Sequence, residues 1–323
     1  MKNLFLLLLF FCQQVIAQNK RIDFTPTVFY HSFSGDTLPV LKIVPGDTVY
    51  TESVDAMGID KNGVRRTRSG NPLTGPFYVE GAEPGDVIAI TLTKLSLNRS
   101  YANSAEGFVS RALPKSELVK SKKVELVKWN LDLDKMTAAP EVKHEHLQNM
   151  VVPLNPMLGC VGLASEGKKT VLTFFAGSFG GNMDFSRVTQ SATVYLPVFH
   201  QGGLLYLGDG HAMQGDGELN GDALETSMDI VFTTRVLKDD QHKISMPMIE
   251  DSEYFMFVGL DKSLDNALKI ANSGLISWLQ KNYHLSYAEA TIFMGAAVEY
   301  TIAEIADPTV EVVVKVKKKM LQF

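Results

Sequence analysis

The sequence predicts an α+β protein that is mainly β: a jelly-roll or β-sandwich-like core, a second β-rich part and a C-terminal α/β portion containing two helices. Three observations carry this. Short alternating or apolar runs divided by Gly, Pro and Asp fill the first two-thirds of the chain. Helical periodicity is confined to the stretch after residue 260. The chain has 323 residues, 45% of them hydrophobic, enough for a large core in one large or two ordinary domains.

Residues 1–17 read as a secretory signal. Lys2 gives the positive start, Leu4 to Cys12 the apolar core, and Val15-Ile16-Ala17 the cleavage pattern before Gln18. The apolar run is too short to span a bilayer. Phe10 and Phe11 stand before Cys12 where lipid attachment needs small residues. An exported protein, periplasmic or secreted, is expected. Cys160 is then the one mature cysteine, so no internal disulfide forms. Its apolar neighbours, Pro156 to Leu163, mark it as a buried inert thiol. A net charge of −5 gives no pull towards nucleic acid or an anionic membrane. No later segment is long and apolar enough to be transmembrane, and self-association is left open.

Residues 18–258 form the β-rich region. Strands are expected at Val40 to Val44, Thr48 to Ser53, Phe77 to Val79 and Val87 to Leu92. Two of their turns share one grammar, Val44-Pro45-Gly46-Asp47-Thr48 and Glu83-Pro84-Gly85-Asp86-Val87. Pro presets the first turn φ, Gly takes the positive φ, and a β-branched residue starts the next strand. Residues 98–150 are more polar and read as a solvated excursion. His144 and His146 flank Glu145 there without the i, i+4 spacing of a zinc-protease helix, and read as surface residues. Residues 259–323 form a helix–helix–strand portion. Its first helix, Leu264 to Leu279, has Ser263 as cap. The second starts at the Ser286/Glu289 capping box and runs to Val298, and a strand covers Val310 to Val316.

Gly208-Asp209-Gly210-His211-Ala212-Met213-Gln214-Gly215-Asp216-Gly217-Glu218 concentrates carboxylates and an imidazole on backbone that glycine lets bend tightly. Upstream, Gly180-Gly181-Asn182-Met183-Asp184 offers an amide and another carboxylate. Val194 to Phe199, a Gln201-Gly202-Gly203 turn and Leu204 to Leu207 read as a hairpin that returns Asp184 to His211.

These segments, with Tyr195-Leu196-Pro197-Val198, resemble the acetamidase/formamidase family of amide hydrolases. So do Leu73 to Asp86, Pro45 to Val49 leading to Val54-Asp55-Ala56, and Asn155-Pro156-Met157-Leu158-Gly159. The resemblance implies hydrolysis of short linear amides to a carboxylate and ammonia, a jelly-roll-like fold with an added α/β portion, and a divalent metal, zinc first. The export signal and residues 98–150 depart from the family pattern.

The residue chemistry fits such a reaction. An amide carbonyl is a poor electrophile, and a metal can activate both it and the attacking water. Asp209 and His211 are the first-choice ligands, with Asp184 and then Asp55 completing the set; Mn²⁺ or Ca²⁺ also suit so many oxygens. Glu218 is the expected general base, and Asp216 would orient His211 or Glu218. Asn182 and the Gly215 N–H are candidates for the oxyanion. Each has a plainer rival: Asp216-Gly217 as a turn, Asp55 as a loop cap, and Glu225 facing outward from its strand. His31, His200, His242 and His284 have no acidic cluster beside them and read as non-catalytic. Two other classes compete. A Ca²⁺-dependent glycan-binding sandwich lacks the calcium-loop spacing, and an iron oxygenase needs a second His in the cluster.

Overall fold

A computed structural model describes residues 19–118, 125–141 and 145–323. The expected signal segment, with Cys12, lies outside the described residues, as does His144. Among the described residues no helix is long and apolar enough to cross a membrane.

Two large sheets dominate. The nine-stranded sheet runs Arg21–Asp23, Thr48–Glu52, Met228–Leu237, Val87–Leu97, Thr193–Pro197, Met248–Glu250, Tyr254–Asp261, Val310–Lys317, Val298–Glu304. The eleven-stranded sheet is built around Leu205–His211 and Met157–Gly162. One apolar cluster joins Phe77, Leu158, Val161 and Leu207 of the latter to Ile88, Ile90, Leu92 and Val194 of the former, so the sheets stack as a sandwich. Strand alternation explains the apolar run Val87 to Leu92. Ile88, Ile90 and Leu92 enter that core, whereas Val87 and Ala89 pack with the helices on the other face.

The repeated turn forms as its residues dictate. Gly46 (φ 97) and Gly85 (φ 95) are left-handed, and Asp47 N–H and Asp86 N–H bond back to Val44 O and Glu83 O at 2.9 and 3.0 Å. Strands then begin at Thr48 and Val87. The helices also follow their signals. α1 (Leu264–Tyr283) is capped by Ser263, and α2 (Tyr287–Ala297) by the full Ser286/Glu289 capping box. α1 buries Ala267, Ala271, Leu275 and Leu279, one per turn. Burying each leucine contributes roughly 1.5–3 kcal/mol. The helix lies so close to Tyr254–Asp261 that a Cβ on Gly259 would sit 1.9 Å from the Ala267 carbonyl oxygen.

Three expectations change. The boundary between residues 258 and 259 falls inside the strand Tyr254–Asp261, which pairs on both sides, so the nine-stranded sheet is continuous across it. The polar excursion supplies strands Tyr101–Ala105, Leu126–Asp132 and Thr137–Pro140, which extend the eleven-stranded sheet. Their one buried side, with Ala102, Leu131 and Ala138, was hidden by polar neighbours. Finally, Thr193–Pro197 and Leu205–His211 are not a hairpin. They belong to different sheets, and Gly202 (φ 75) and Gly203 (φ 66) carry the chain from one layer to the other.

Candidate functional site

The strand Met157–Gly162 pairs on one side with Leu205–His211 and on the other with Gly180–Asn182. This central strand, rather than a hairpin, brings the glycine-rich segment to the acidic loop. Met157 stands opposite His211, and Cys160 opposite both Gly208 and Asn182. On the far side, Glu225 stands opposite His211 across Glu225–Thr226.

Three carboxylates meet at one nitrogen. His211 Nε2 lies 3.2 Å from Glu225 Oε1, 3.6 Å from Asp209 Oδ1 and 3.9 Å from Asp184 Oδ1. Ligand atoms of Asp209, His211 and Glu225 lie within 4.8 Å of one another, as do those of Asp184, His211 and Glu218. All five side chains are buried. Asp184 (φ 43), Asp209 (φ 58) and Glu218 (φ 45) each adopt left-handed backbone, as does neighbouring Asn71 (φ 46). Half of the eight non-glycine residues so strained among those described therefore surround one histidine. Such strain persists only where surrounding structure enforces it.

Gln214 sets the imidazole. Its side-chain N–H groups point to the carbonyls of Asp184 and Ala303, leaving Oε1 to accept from His211 Nδ1 at 2.9 Å. Nε2 is thereby turned towards the carboxylates. Replacing this amide by an apolar side chain should free the ring: Gln214→Leu is expected to weaken metal binding by roughly 10–100-fold in a calorimetric titration. Unchanged affinity would mean that packing alone orients His211.

Asn71 Nδ2 donates to Asp209 Oδ2 (2.8 Å) and to Asn182 Oδ1 (3.3 Å). Asn182 Nδ2 in turn donates to Asp184 and to Asp307 Oδ2 (2.9 Å). The Cys160 thiol donates to Asn182 Oδ1 at 2.6 Å. It is the buried thiol expected, but it forms part of the site floor, where burial and then Asp209 hold it well above the usual thiol range. Asp307 arrives from the C-terminal portion, on a turn whose Ala306 and Asp307 N–H groups both bond Glu304 Oε2.

Burial raises the Asp184 and Glu218 carboxyls well above their ordinary range, helped at Asp184 by the charge of Glu218 and at Glu218 by those of Glu225 and Asp209 against the pull of His211. Burial likewise pushes Glu225 up to about 7 and Asp307 to about 6. For His211 burial works the other way, yet the charges of Glu225 and Asp209 outweigh it and raise the imidazole well above its usual value.

Four sequence-based assignments change. Asp55 is not at the cluster: Oδ1 accepts from Met57 and Ile59 N–H (3.0 and 2.8 Å), and Oδ2 pairs with buried Arg99 at 2.7 Å. Its loop-capping reading prevails. Asp55→Asn should therefore destabilise the fold by about 3–5 kcal/mol, by leaving Arg99 unpaired, without altering metal content. A well-folded variant lacking metal would return Asp55 to the ligand set. Asp216 is exposed and accepts from Ser186 Oγ at 3.3 Å; Gln214 does the orienting. Both ends of the Asn182 amide are engaged, so it braces carboxylates instead of holding an oxyanion. Gly215 is exposed, its carbonyl accepts from Glu218 N–H, and it lines the cavity beside Glu218, so its N–H keeps its place as an oxyanion candidate. Glu225 points inward because its register with His211 puts both side chains on one face. His31, His200, His242 and His284 all lie outside the cluster.

A cavity of about 370 Å³ opens beside the cluster, lined by Gln214, Glu218 and Asp222 together with Trp129, Val152, Met213 and Leu224.

With this geometry in view, comparisons with known proteins are informative. The model of the Acetamidase/Formamidase family matches residues 111–318, more than half of the chain. The chain belongs to that family. A formamidase of Methylophilus methylotrophus is 25% identical over 327 residues, covering 81% of this chain and 76% of that one. A relative from Schizosaccharomyces pombe is 25% identical over 248 residues, and the chain spans 59% of its length. Among solved structures, an acetamidase from Bacillus halodurans superposes with a TM-score of 0.77 at 25% identity, covering 92% of this chain and 97% of that one. An acetamidase from Yersinia enterocolitica shares the fold, with a TM-score of 0.81 at 24% identity over 95% and 94% of the two chains.

The cluster's own atoms suit a cation. Asp184 Oδ1, Asp209 Oδ1 and Glu225 Oε2 are buried without any hydrogen-bond partner. Unpaired buried carboxylate oxygens are costly, and a divalent ion among them would offset that cost.

Proposed function

We propose that this protein hydrolyses linear amides to a carboxylate and ammonia at the His211 cluster, with a divalent metal, zinc first, as cofactor. The observation that carries the reading is the convergence of partnerless carboxylate oxygens on His211 Nε2, in a chain of the acetamidase/formamidase family. His211, Asp209, Asp184 and Glu225 would hold the ion; the mixed nitrogen and oxygen set suits Zn²⁺ and also accepts Mn²⁺. When bound, the ion supplies Lewis acidity towards an amide oxygen and makes water more acidic.

Glu218 has a different task. It belongs to the cluster and also lines the cavity, which places it between the ion-binding acids and the space where an amide would sit. It takes a proton from the water that attacks the amide carbon and hands it to the departing nitrogen. The C–N bond breaks as the new C–O bond becomes part of the carboxylate. Dialysis against a chelator should abolish ammonia release from acetamide, and Zn²⁺ should restore it. Undiminished release by the verified metal-free protein would end the metal assignment.

The same reading places the enzyme outside the cytoplasm, supported by Lys2, the Leu4 to Cys12 run and the Val15-Ile16-Ala17 pattern. Fractionation of cells expressing the full chain, with sequencing of the mature N-terminus, tests it. A start after Ala17 in the exported fraction is expected.

A further inference from the structure

We propose that the cavity beside Glu218 binds the acyl part of the amide, and that the preferred substrates are neutral primary amides with an extended apolar acyl group. This rests on the amidase reading and concerns the substrate of the same site.

Of the clustered acids only Glu218 lines the cavity, together with Gln214, which holds His211. The rest of the wall is largely apolar, built from Trp129, Val152, Met213, Leu219 and Leu224. A space of about 370 Å³ has the size and lining of a small-molecule pocket, and formamide or acetamide would leave most of it to water. An amide carbon set beside Glu218 directs its acyl chain along that wall.

Trp129 is the residue that defines the wall. It lies on the strand Leu126–Asp132, and its indole N–H donates to Ser104 Oγ on the adjoining strand at 3.0 Å. That bond satisfies the polar edge of the ring, fixes its position and leaves carbon surface to line the cavity. Leu219 is 43% exposed at the same opening, an apolar side chain in water that a bound chain would cover. Asp216 and Asp222 also line the cavity and repel an acyl group that carries its own carboxylate. Trp129 lies in the 98–150 excursion, which the family model matches from residue 111 onward.

The test is kcat/KM for formamide, acetamide, butyramide and hexanamide, with succinamate as the charged control, alongside calorimetric binding of hexanamide. The expected result is a rise of roughly fourfold per methylene, carried mainly by KM, with succinamate poor. Trp129→Ala should lower the hexanamide-to-acetamide ratio by about tenfold or more, and Leu219→Ala should lower it less. If formamide or acetamide is the best substrate and both variants leave the ratio unchanged, this proposal fails while the amidase reading stands. If no amide turns over but hexanamide binds and Trp129→Ala weakens it, the pocket assignment stands and the amidase reading fails. Neither turnover nor binding removes both.

Discussion

Glu218→Gln is expected to lower kcat for amide hydrolysis by about 10²–10⁴-fold while leaving metal content intact. Glutamine has nearly the shape of glutamate, so the left-handed backbone at this position (φ 45) and the Gly215 O to Glu218 N–H turn are undisturbed. What disappears is the oxygen that accepts a proton. The outcome also separates two readings of the geometry. Glu218 lies close enough to Asp184 and His211 to complete a ligand set of its own. Its oxygens, however, are not among the buried partnerless atoms, whereas those of Asp184, Asp209 and Glu225 are. Turnover lost with the metal retained fits a base. Loss of the metal would make Glu218 a ligand, and unimpaired turnover would take the base role away.

Gly159→Ala should abolish the site with little backbone change. The added Cβ would stand 2.3 Å from Asp184 Oδ1, 2.9 Å from Asp209 Oδ2 and 3.0 Å from His211 Cε1. Gly159 does not have positive φ, so alanine suits its backbone and the conflict is with the site side chains. Those side chains cannot retreat, because Asn71, Asn182 and Gln214 hold them from behind. Displacement by about an ångström is enough to cost on the order of 10²-fold in rate. The stability penalty of overpacking, about 1–3 kcal/mol, leaves a folded protein in which metal affinity and kcat can be measured. Gly295→Ala in α2 is the control. Nothing lies within 4 Å of its Cβ, so activity and metal content should be unchanged and the helix slightly more stable. A Gly159→Ala enzyme with full metal and wild-type kcat would show that the carboxylates move freely, and the preorganised cluster would be wrong.

Much of this was legible because the signals are local. Turn chemistry at Pro45-Gly46 and Pro84-Gly85 and the Ser286/Glu289 capping box involve atoms a few residues apart. The spacing of Ala267, Ala271, Leu275 and Leu279 is equally local, and propensity and hydrogen bonding decide such features before any packing. Asp184, Asp209, His211 and Glu218 were visible as conspicuous acids and an imidazole on glycine-rich backbone. Gln214, Asn71, Gly159, Glu225 and Asp307 were not singled out for the roles they take here. An amide, a glycine or a lone acid looks alike in sequence whether it braces a site or a loop.

The amino-acid order by itself determined the β-rich class, the two late helices and the segment on which the chemistry is concentrated. Tertiary structure decided which acids face the histidine. Asp55 stands apart, neutralised by Arg99, and Glu225 turns inward because its strand pairs with that of His211. It also decided that the excursion walls a cavity, through Trp129. The reason is physical. Turns and caps are set by neighbours along the chain, whereas a charge cluster exists only once sheet register has fixed which faces of distant strands look at each other.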